Sequence, residues 1–236
     1  MHALLLTIFV DTVGFGIILP LLPFFAEKFG ASPLEVTLLA TVYSFSQFVF
    51  APVWGRFSDR FGRRPIILTT LAGLFFGYFA LIFTNSLTIL FLARAFTGAM
   101  AANAGVIQAY IADVTNTEAR AGAMAKVGAA HGLGFIVGPA IGGMLAGTDP
   151  VNPNLALPFV IAATLSGTAL FIAFFQVNET VAVSLRDAVV KGQRSLGQVF
   201  MDAIQIPQLA LLLVVVTMTP FVFSGIETTF VLWSER

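Results

Sequence analysis

Apolar residues fall into seven long runs, roughly Leu4–Phe25, Val36–Trp54, Ile66–Thr84, Leu87–Ile111, Ala123–Ala146, Leu157–Gln176 and Pro207–Leu232. A helix needs about 20 such residues to cross the hydrocarbon of a bilayer. Lipid offers no partner for a backbone amide, so each run predicts a membrane-spanning helix. The polar connections alternate in character. Glu27–Glu35 holds a single Lys, Asn85-Ser86 is only a tight turn, and Thr148–Asn154 has no base. The other set is basic: Gly55–Pro65, Ala112–Gly122 and Val177–Ile206. With Lys126 just inside the fifth run, this set carries Arg56, Arg60, Arg63, Arg64, Arg120, Arg186, Lys191 and Arg194, nine of the twelve Lys and Arg residues. Basic loops stay in the cytoplasm, so the N-terminus is expected there and Trp233–Arg236 outside.

This pattern divides the chain into a six-helix transmembrane bundle (1–177), a cytoplasmic linker (178–206) and one further helix (207–236). In the linker, Leu185, Val189, Leu196, Val199 and Ile204 predict an amphipathic surface helix. The expected fold is all-α and polytopic. Six spans, a linker and a seventh span describe an incomplete, truncated version of a twelve-helix arrangement.

Composition narrows the function. Of 236 residues, 58% are hydrophobic and 10% charged, against roughly 25% charged in soluble domains. A net charge of zero argues against a nucleic-acid partner. With no Cys, disulfides and thiolate metal sites are excluded. The first run is long, lacks a basic leader and contains Asp11, so it is not a cleavable signal. No G-x-x-x-x-G-K-[ST] loop, His/Glu metal pattern or nucleophile with a base is present. The expectation is neither an enzyme nor a cofactor protein.

Charged residues inside the runs are the functional candidates, because lipid makes them costly. Asp11 is a candidate proton carrier, or else a permanently bonded carboxylate that bends or locks its helix. Gly14, Gly16, Pro20 and Pro23 allow close helix approach and kinks in the same span. Arg94 shares one helical face with Gly98, Ala101, Gly105 and Gln108, a small polar stripe that faces protein or water. At about 1.5 Å per residue, Asp11 and Arg94 differ in depth by about 10 Å, so a direct contact is not expected, and a water-linked route is left open. Gly134, Gly138 and Gly142 are four apart, a smooth surface for another helix. His131 shares the face of Gly138 and serves titration, substrate contact or packing. Glu227 is a second membrane carboxylate. Tyr43, Ser44 and Gln47 are candidate cavity-lining groups, or interhelical hydrogen-bonding ones.

In the basic connection, Gly55 and Gly62 are expected to permit tight backbone geometry. Asp59 can face a helix end or an arginine, and Asp113 and Glu118 are acids within reach of Arg60, Arg63 and Arg64. The spacing Gly55-x-x-x-Asp59-Arg60-x-Gly62-Arg63-Arg64 resembles the loop signature of the major facilitator superfamily, with Phe57 where Leu is usual. Asp11-x-x-Gly14-x-Gly16-x-x-x-Pro20-x-x-Pro23 resembles the first-helix signature of its proton-coupled drug antiporters. Leu90-x-x-x-Arg94-x-x-x-Gly98 is similar to the fourth-helix motif, with Thr97 replacing the usual Gln. Gly134-x-x-x-Gly138-Pro139-x-x-Gly142-Gly143 resembles the antiporters' fifth-helix motif, and the span around Glu227 is similar to a helix of bacterial drug-efflux relatives.

The resemblance covers nearly the whole chain. It implies the major facilitator fold, the bacterial inner membrane, and alternating access between two six-helix halves. The implied activity is proton-coupled export of a small amphiphilic drug, as in tetracycline and multidrug exporters. It assigns proton coupling to Asp11, Arg94 and Glu227, with His131 beside them. A cytoplasmic latch falls to Asp59, Arg60 and Arg63, supported by Gly55, Gly62, Arg64, Asp113 and Arg120. The fifth-helix motif is implied to seal the interface between halves. Expected partners are lipid, protons and substrate, together with a second half or a second copy of the chain. Three alternatives are weighed: a proton-independent or symporting metabolite or sugar facilitator, a non-transporting fragment, and a seven-helix receptor. Asp11 and the Gly/Pro motif stand against the first. The cytoplasmic N-terminus and the lack of a Lys in the seventh run stand against the last.

Overall fold

The computed structural model describes residues 2–146, 156–180, 196–216 and 218. The chain divides into two compact units, Met1–Val190 and Lys191–Arg236. Six segments of the first unit are helical, long and apolar enough to cross a membrane: Leu4–Glu27, Pro33–Phe61, Arg63–Ile82, Leu87–Val114, Thr117–Leu145 and Ala156–Gln176.

The first span is not one cylinder. Helix α1 (His2–Ile18) passes through a 3-10 turn, Leu19–Leu21, into α2 (Leu22–Glu27), with a proline in the first turn of each later piece. Proline suits a first turn because its missing N–H would have no helical partner there, and it cannot continue a helix from behind. Helix α3 (Pro33–Phe61) opens on a reciprocal cap. Ser32 Oγ accepts from the Glu35 amide, and the Ser32 amide donates to Glu35 Oε2 at 2.8 Å. Helix α4 is Arg63–Ile82.

The basic connection expected between the second and third spans is therefore no loop. Gly55–Phe61 are the last turns of α3 and Arg63–Pro65 the first turn of α4, so Gly62 alone makes the bend. Gly62 has φ +108° and ψ 158°, a region that is essentially glycine-only. The expectation for Gly55 is corrected. It lies inside α3, and a Cβ added there meets nothing within 4 Å.

The fourth span is also interrupted. Helix α5 (Leu87–Met100) and α6 (Ala104–Val114) are separated by turns at 101–103. No proline marks this break, which is why apolarity alone predicts one continuous helix. Helix α7 (Thr117–Ala146) carries Pro139 inside it, and α8 (Ala156–Gln176) closes the bundle. In the second unit, α9 (Leu196–Gln205) falls where the linker's surface helix is expected; Leu185 and Val189 lie outside the described residues. Of the seventh run, Pro207–Val216 is helical (α10), and its remainder, including Glu227, is not among the described positions apart from Met218.

Two apolar clusters hold the bundle. One gathers Leu4, Ile8, Trp54, Ile67, Ile107 and Ala173, and the other Ile18, Phe25, Leu39, Leu74, Leu90 and Phe159. The stretch of α1 between them carries Asp11, Thr12 and Phe15, so the polar residues occupy the middle of the bundle's height. In lipid the hydrophobic effect does not drive helix association; close backbone packing does. Helix α1 packs most extensively on α7 and α8. Gly16 and Gly138 face each other at the first of these contacts: a Cβ on Gly138 lands 2.7 Å from Gly16 Cα, and one on Gly142 lands 2.5 Å from the Ile17 carbonyl oxygen.

Candidate functional site

A cavity of about 580 Å³ opens in the middle of the bundle. Its walls include Asp11, Thr12 and Phe15 from α1, Tyr43, Ser44 and Gln47 from α3, and Tyr78 from α4. The broken fourth span contributes Ala101, Asn103, Ala104 and Gln108, and α7 contributes His131 and Phe135. All the polar candidates of the second span therefore reach it, as does Gln108. Pockets of this size, mostly apolar with a few convergent polar groups, are the usual form of a small-molecule site.

The break at 101–103 is built into the cavity wall. A helix that stops inside a membrane leaves carbonyls without amide partners, and these need donors from elsewhere. Two side chains of α3 supply them: Trp54 Nε1 donates to the Ala99 carbonyl at 2.7 Å, and Gln47 Nε2 to that of Ala101 at 3.2 Å. Asn103 Nδ2 donates to Thr70 Oγ1 at 3.1 Å. Gln47 is thus engaged in holding the broken helix as well as lining the cavity.

Asp11 stands in the wall with Oδ1 buried and without a hydrogen-bond partner among the described residues. An acceptor left open in this way is costly unless it takes a proton or a ligand donor. Beside it, Thr12 Oγ1 lies 2.8 Å from the Ile8 carbonyl and 3.0 Å from His131 Nδ1. Phe15 stacks on Tyr43 with centroids 5.0 Å apart and meets Phe135 edge-on at 5.7 Å.

Arg94 is not a wall residue. It is 1% exposed, and its guanidinium lies 4.3 Å from the centroid of the Tyr43 ring. Its Nε and Nη1 have no hydrogen-bond partner among the described residues, and no ion pair joins it to Asp11 there. The depth argument thus agrees with the geometry, which adds Tyr43 as the side chain near both charges. The polar stripe expected around Arg94 is divided. Gly98 packs under the Tyr43 backbone, Ala101 and Gln108 line the cavity, and a Cβ on Gly105 meets nothing within 4 Å.

At the α3–α4 bend, Arg63 is the centre of a network. Its Nη1 donates to Asp59 and to Ser58 Oγ, and its Nε reaches Asp113 Oδ2 at 3.4 Å. Its backbone amide donates to Glu179 Oε1 at 3.0 Å, while Thr180 Oγ1 bonds Asp113 Oδ2 at 3.1 Å. The other bases do different work. Arg60 lies over the Phe61 ring, Arg64 Nη2 donates to the Phe174 carbonyl, and Arg120 Nη2 donates to that of Ala112. No ion pair among the described residues reaches Glu118. Glu179 and Thr180 were not legible as members of this network, because their partners lie far away in the chain, whereas Ser58 meets Arg63 only five residues on and was simply missed.

The glycines of the fifth span are placed against α1. A Cβ on Gly134 would come within 2.6 Å of Thr12 Cβ, and Pro139 Cδ lies close to Gly16. Gly143 has nothing within 4 Å of its added Cβ. The motif's close contacts are therefore within the six-helix bundle. Thr12, Phe15, Tyr78, Asn103 and Phe135 were missed as cavity residues; only the adjacency of Thr12 to Asp11 offered a sequence signal.

Six spans around a central cavity with a few convergent polar groups, one of them broken beside it, define a polytopic membrane protein of transporter architecture. The Major Facilitator Superfamily model matches residues 4–236, and the chain belongs to that superfamily. It is 35% identical to the class D tetracycline resistance protein of Salmonella ordonez, over 99% of this chain and 58% of that protein. It is 37% identical to the class B protein of Escherichia coli, over 75% and 44%. Multidrug resistance protein 2 of Bacillus subtilis (strain 168) is 30% identical over 99% and 58%. The chain thus spans about half the length of the curated relatives it matches. Among solved structures, the human organic anion transporter TETRAN superposes with a TM-score of 0.68 at 25% identity, covering 78% of this chain and 48% of that one. A peptide transporter shares the fold at a TM-score of 0.67 and 15% identity, covering 91% and 45%.

Proposed function

We propose that the chain belongs to a proton-coupled exporter of a small amphiphilic drug that works by alternating access, in a bacterial inner membrane with the N-terminus cytoplasmic. The observation that carries this reading is Asp11, a membrane carboxylate in the cavity wall with a buried oxygen that has no partner among the described residues. The names of the curated relatives, which are tetracycline and multidrug resistance proteins, supply the substrate class.

In this mechanism Asp11 takes a proton from the outward side and yields it to the inward side. Its charge differs between the two states, so a substrate that pairs with the ionised form binds one state better than the other. Coupling is that difference in affinity, and proton and drug therefore alternate on the cavity. Arg94, held behind Tyr43, supplies a fixed positive charge beside the path. Arg63, Asp59 and Asp113 hold the cytoplasmic ends of α3, α4 and α6 together and act as the latch of one orientation. Spans α3 and α7 are the least buried of the six, at 11% and 17% of their apolar windows. They are the faces on which a second bundle completes the cavity.

The experiment is drug efflux from cells or proteoliposomes under an imposed proton gradient. Asp11→Asn is expected to abolish gradient-driven export while leaving the protein folded in the membrane. Undiminished export by that variant sinks the mechanism.

A further inference from the structure

The hydrogen bonds around Thr12 determine which nitrogen of His131 carries its proton. A threonine hydroxyl has one hydrogen to donate. Thr12 is buried, and its Oγ1 sits 2.8 Å from the carbonyl of Ile8, four residues back on the same helix. This is the back-bond that helical threonines make with their single proton. The 3.0 Å contact from Thr12 Oγ1 to His131 Nδ1 must then be closed by a hydrogen on the ring. A neutral imidazole has only one N–H, so Nε2 is left with a bare lone pair. His131 lines the cavity, no donor among the described residues reaches Nε2, and no ion pair reaches the ring. Phe135 sits against the ring at 5.2 Å and limits its rotation.

We propose that His131 is a specificity-determining residue: Thr12 holds it as the Nδ1–H form, and Nε2 takes a hydrogen bond from an O–H or N–H of the molecule in the cavity. Gln47 and Asn103, which stand on other helices, each spend one of their two amide hydrogens on Ala101 and Thr70. The α1–α7 wall itself presents acceptors, Asp11 Oδ1 and His131 Nε2, framed by Phe15 and Phe135. Such a wall selects an amphiphile that carries hydrogen-bond donors beside an apolar face. A molecule without a donor takes water from these acceptors and pairs with neither, and is discriminated against. The ligand part of this proposal rests on the export reading; the tautomer does not.

The test uses the full chain labelled with nitrogen-15 histidine. Its two histidines are His2 and His131, so His2→Asn leaves a single imidazole. The nitrogen resonances are expected to show Nδ1 protonated and Nε2 bare, and Thr12→Val is expected to move the proton towards Nε2. Tetracycline, which carries hydroxyl and amide donors, should shift the Nε2 resonance. His131→Phe should weaken its binding about tenfold, the order of one lost hydrogen bond, while His131→Gln, which keeps an acceptor, recovers most of the affinity. Tetraphenylphosphonium, a cation with no donor, should bind both variants within about twofold of the parent. A predominantly Nε2–H ring in the parent protein, or equal tetracycline affinity in His131→Phe, overturns the proposal. A parent protein that binds neither probe overturns the ligand role of Nε2 in this cavity, export itself being read by the efflux assay, while the nitrogen shifts still decide the tautomer.

Discussion

The guanidinium of Arg94 lies 4.3 Å from the centre of the Tyr43 ring. The ring face of Tyr43 therefore stabilises a charge that is nearly sealed from water. A desolvated cation–π contact contributes about 2 kcal/mol. Tyr43→Phe keeps the ring and is expected to keep the stability. Tyr43→Leu removes it and should lower stability by about 2 kcal/mol, read as thermal unfolding of the purified protein in detergent. Equal melting of the two variants would remove this role from Tyr43.

The same tyrosine limits what can stand at position 98. A Cβ on Gly98 would lie 2.3 Å from the Tyr43 carbonyl oxygen, and backbone cannot move aside as a flexible side chain can. Gly98→Ala is expected to cost about 1–3 kcal/mol as an overpacked contact. Gly55→Ala, where the added methyl meets nothing within 4 Å inside a helix, should be neutral or gain up to about 1 kcal/mol. The comparison, made by denaturation in one detergent, separates helix packing from a general intolerance of substitution.

At the bend, Gly62 holds φ +108°. Gly62→Ala is expected to cost about 1–3 kcal/mol through backbone strain alone. Its effect on export should exceed that of Arg60→Ala, whose guanidinium lies over Phe61. Export assays of the two variants at matched expression check the order.

Arg63 and Asp113 are partly exposed, at 14% and 36% of their side chains, so solvent screens their attraction. A double-mutant cycle between them should give a coupling of at most about 1 kcal/mol to folding. The latch reading requires a larger change in export than in stability. A variant Arg63→Ala that lost stability and export in proportion would return the residue to a structural role.

Because the sequence lacks Cys, topology can be read by single introduced thiols. Arg56→Cys is expected to react with a membrane-impermeant maleimide only from the cytoplasmic side, and Asn85→Cys only from outside. The reverse pattern would invert the proposed orientation.

The first six spans, their order and the basic asymmetry were legible because each depends on the composition of a continuous segment. Asp11 and Arg94 were legible for the same reason: a charge in an apolar run stands out without any neighbour. The break at 101–103 was not. The carbonyls it leaves open are satisfied by Trp54 and Gln47, far away in the chain, which donate to Ala99 and Ala101. Glu179 capping the amide of Arg63 was hidden similarly, since more than a hundred residues separate the two.

By itself the sequence determined that this is a multi-spanning helical protein, and which motifs it carries, because hydropathy and residue spacing are local properties. Only the tertiary structure decided that Gly62 alone turns the chain, that Tyr43 rather than Asp11 meets Arg94, and that Thr12 lies against His131. Those relations depend on which helices lie side by side. In lipid that is settled by close contact at residues such as Gly16, Gly98 and Gly138, and no single segment carries that information.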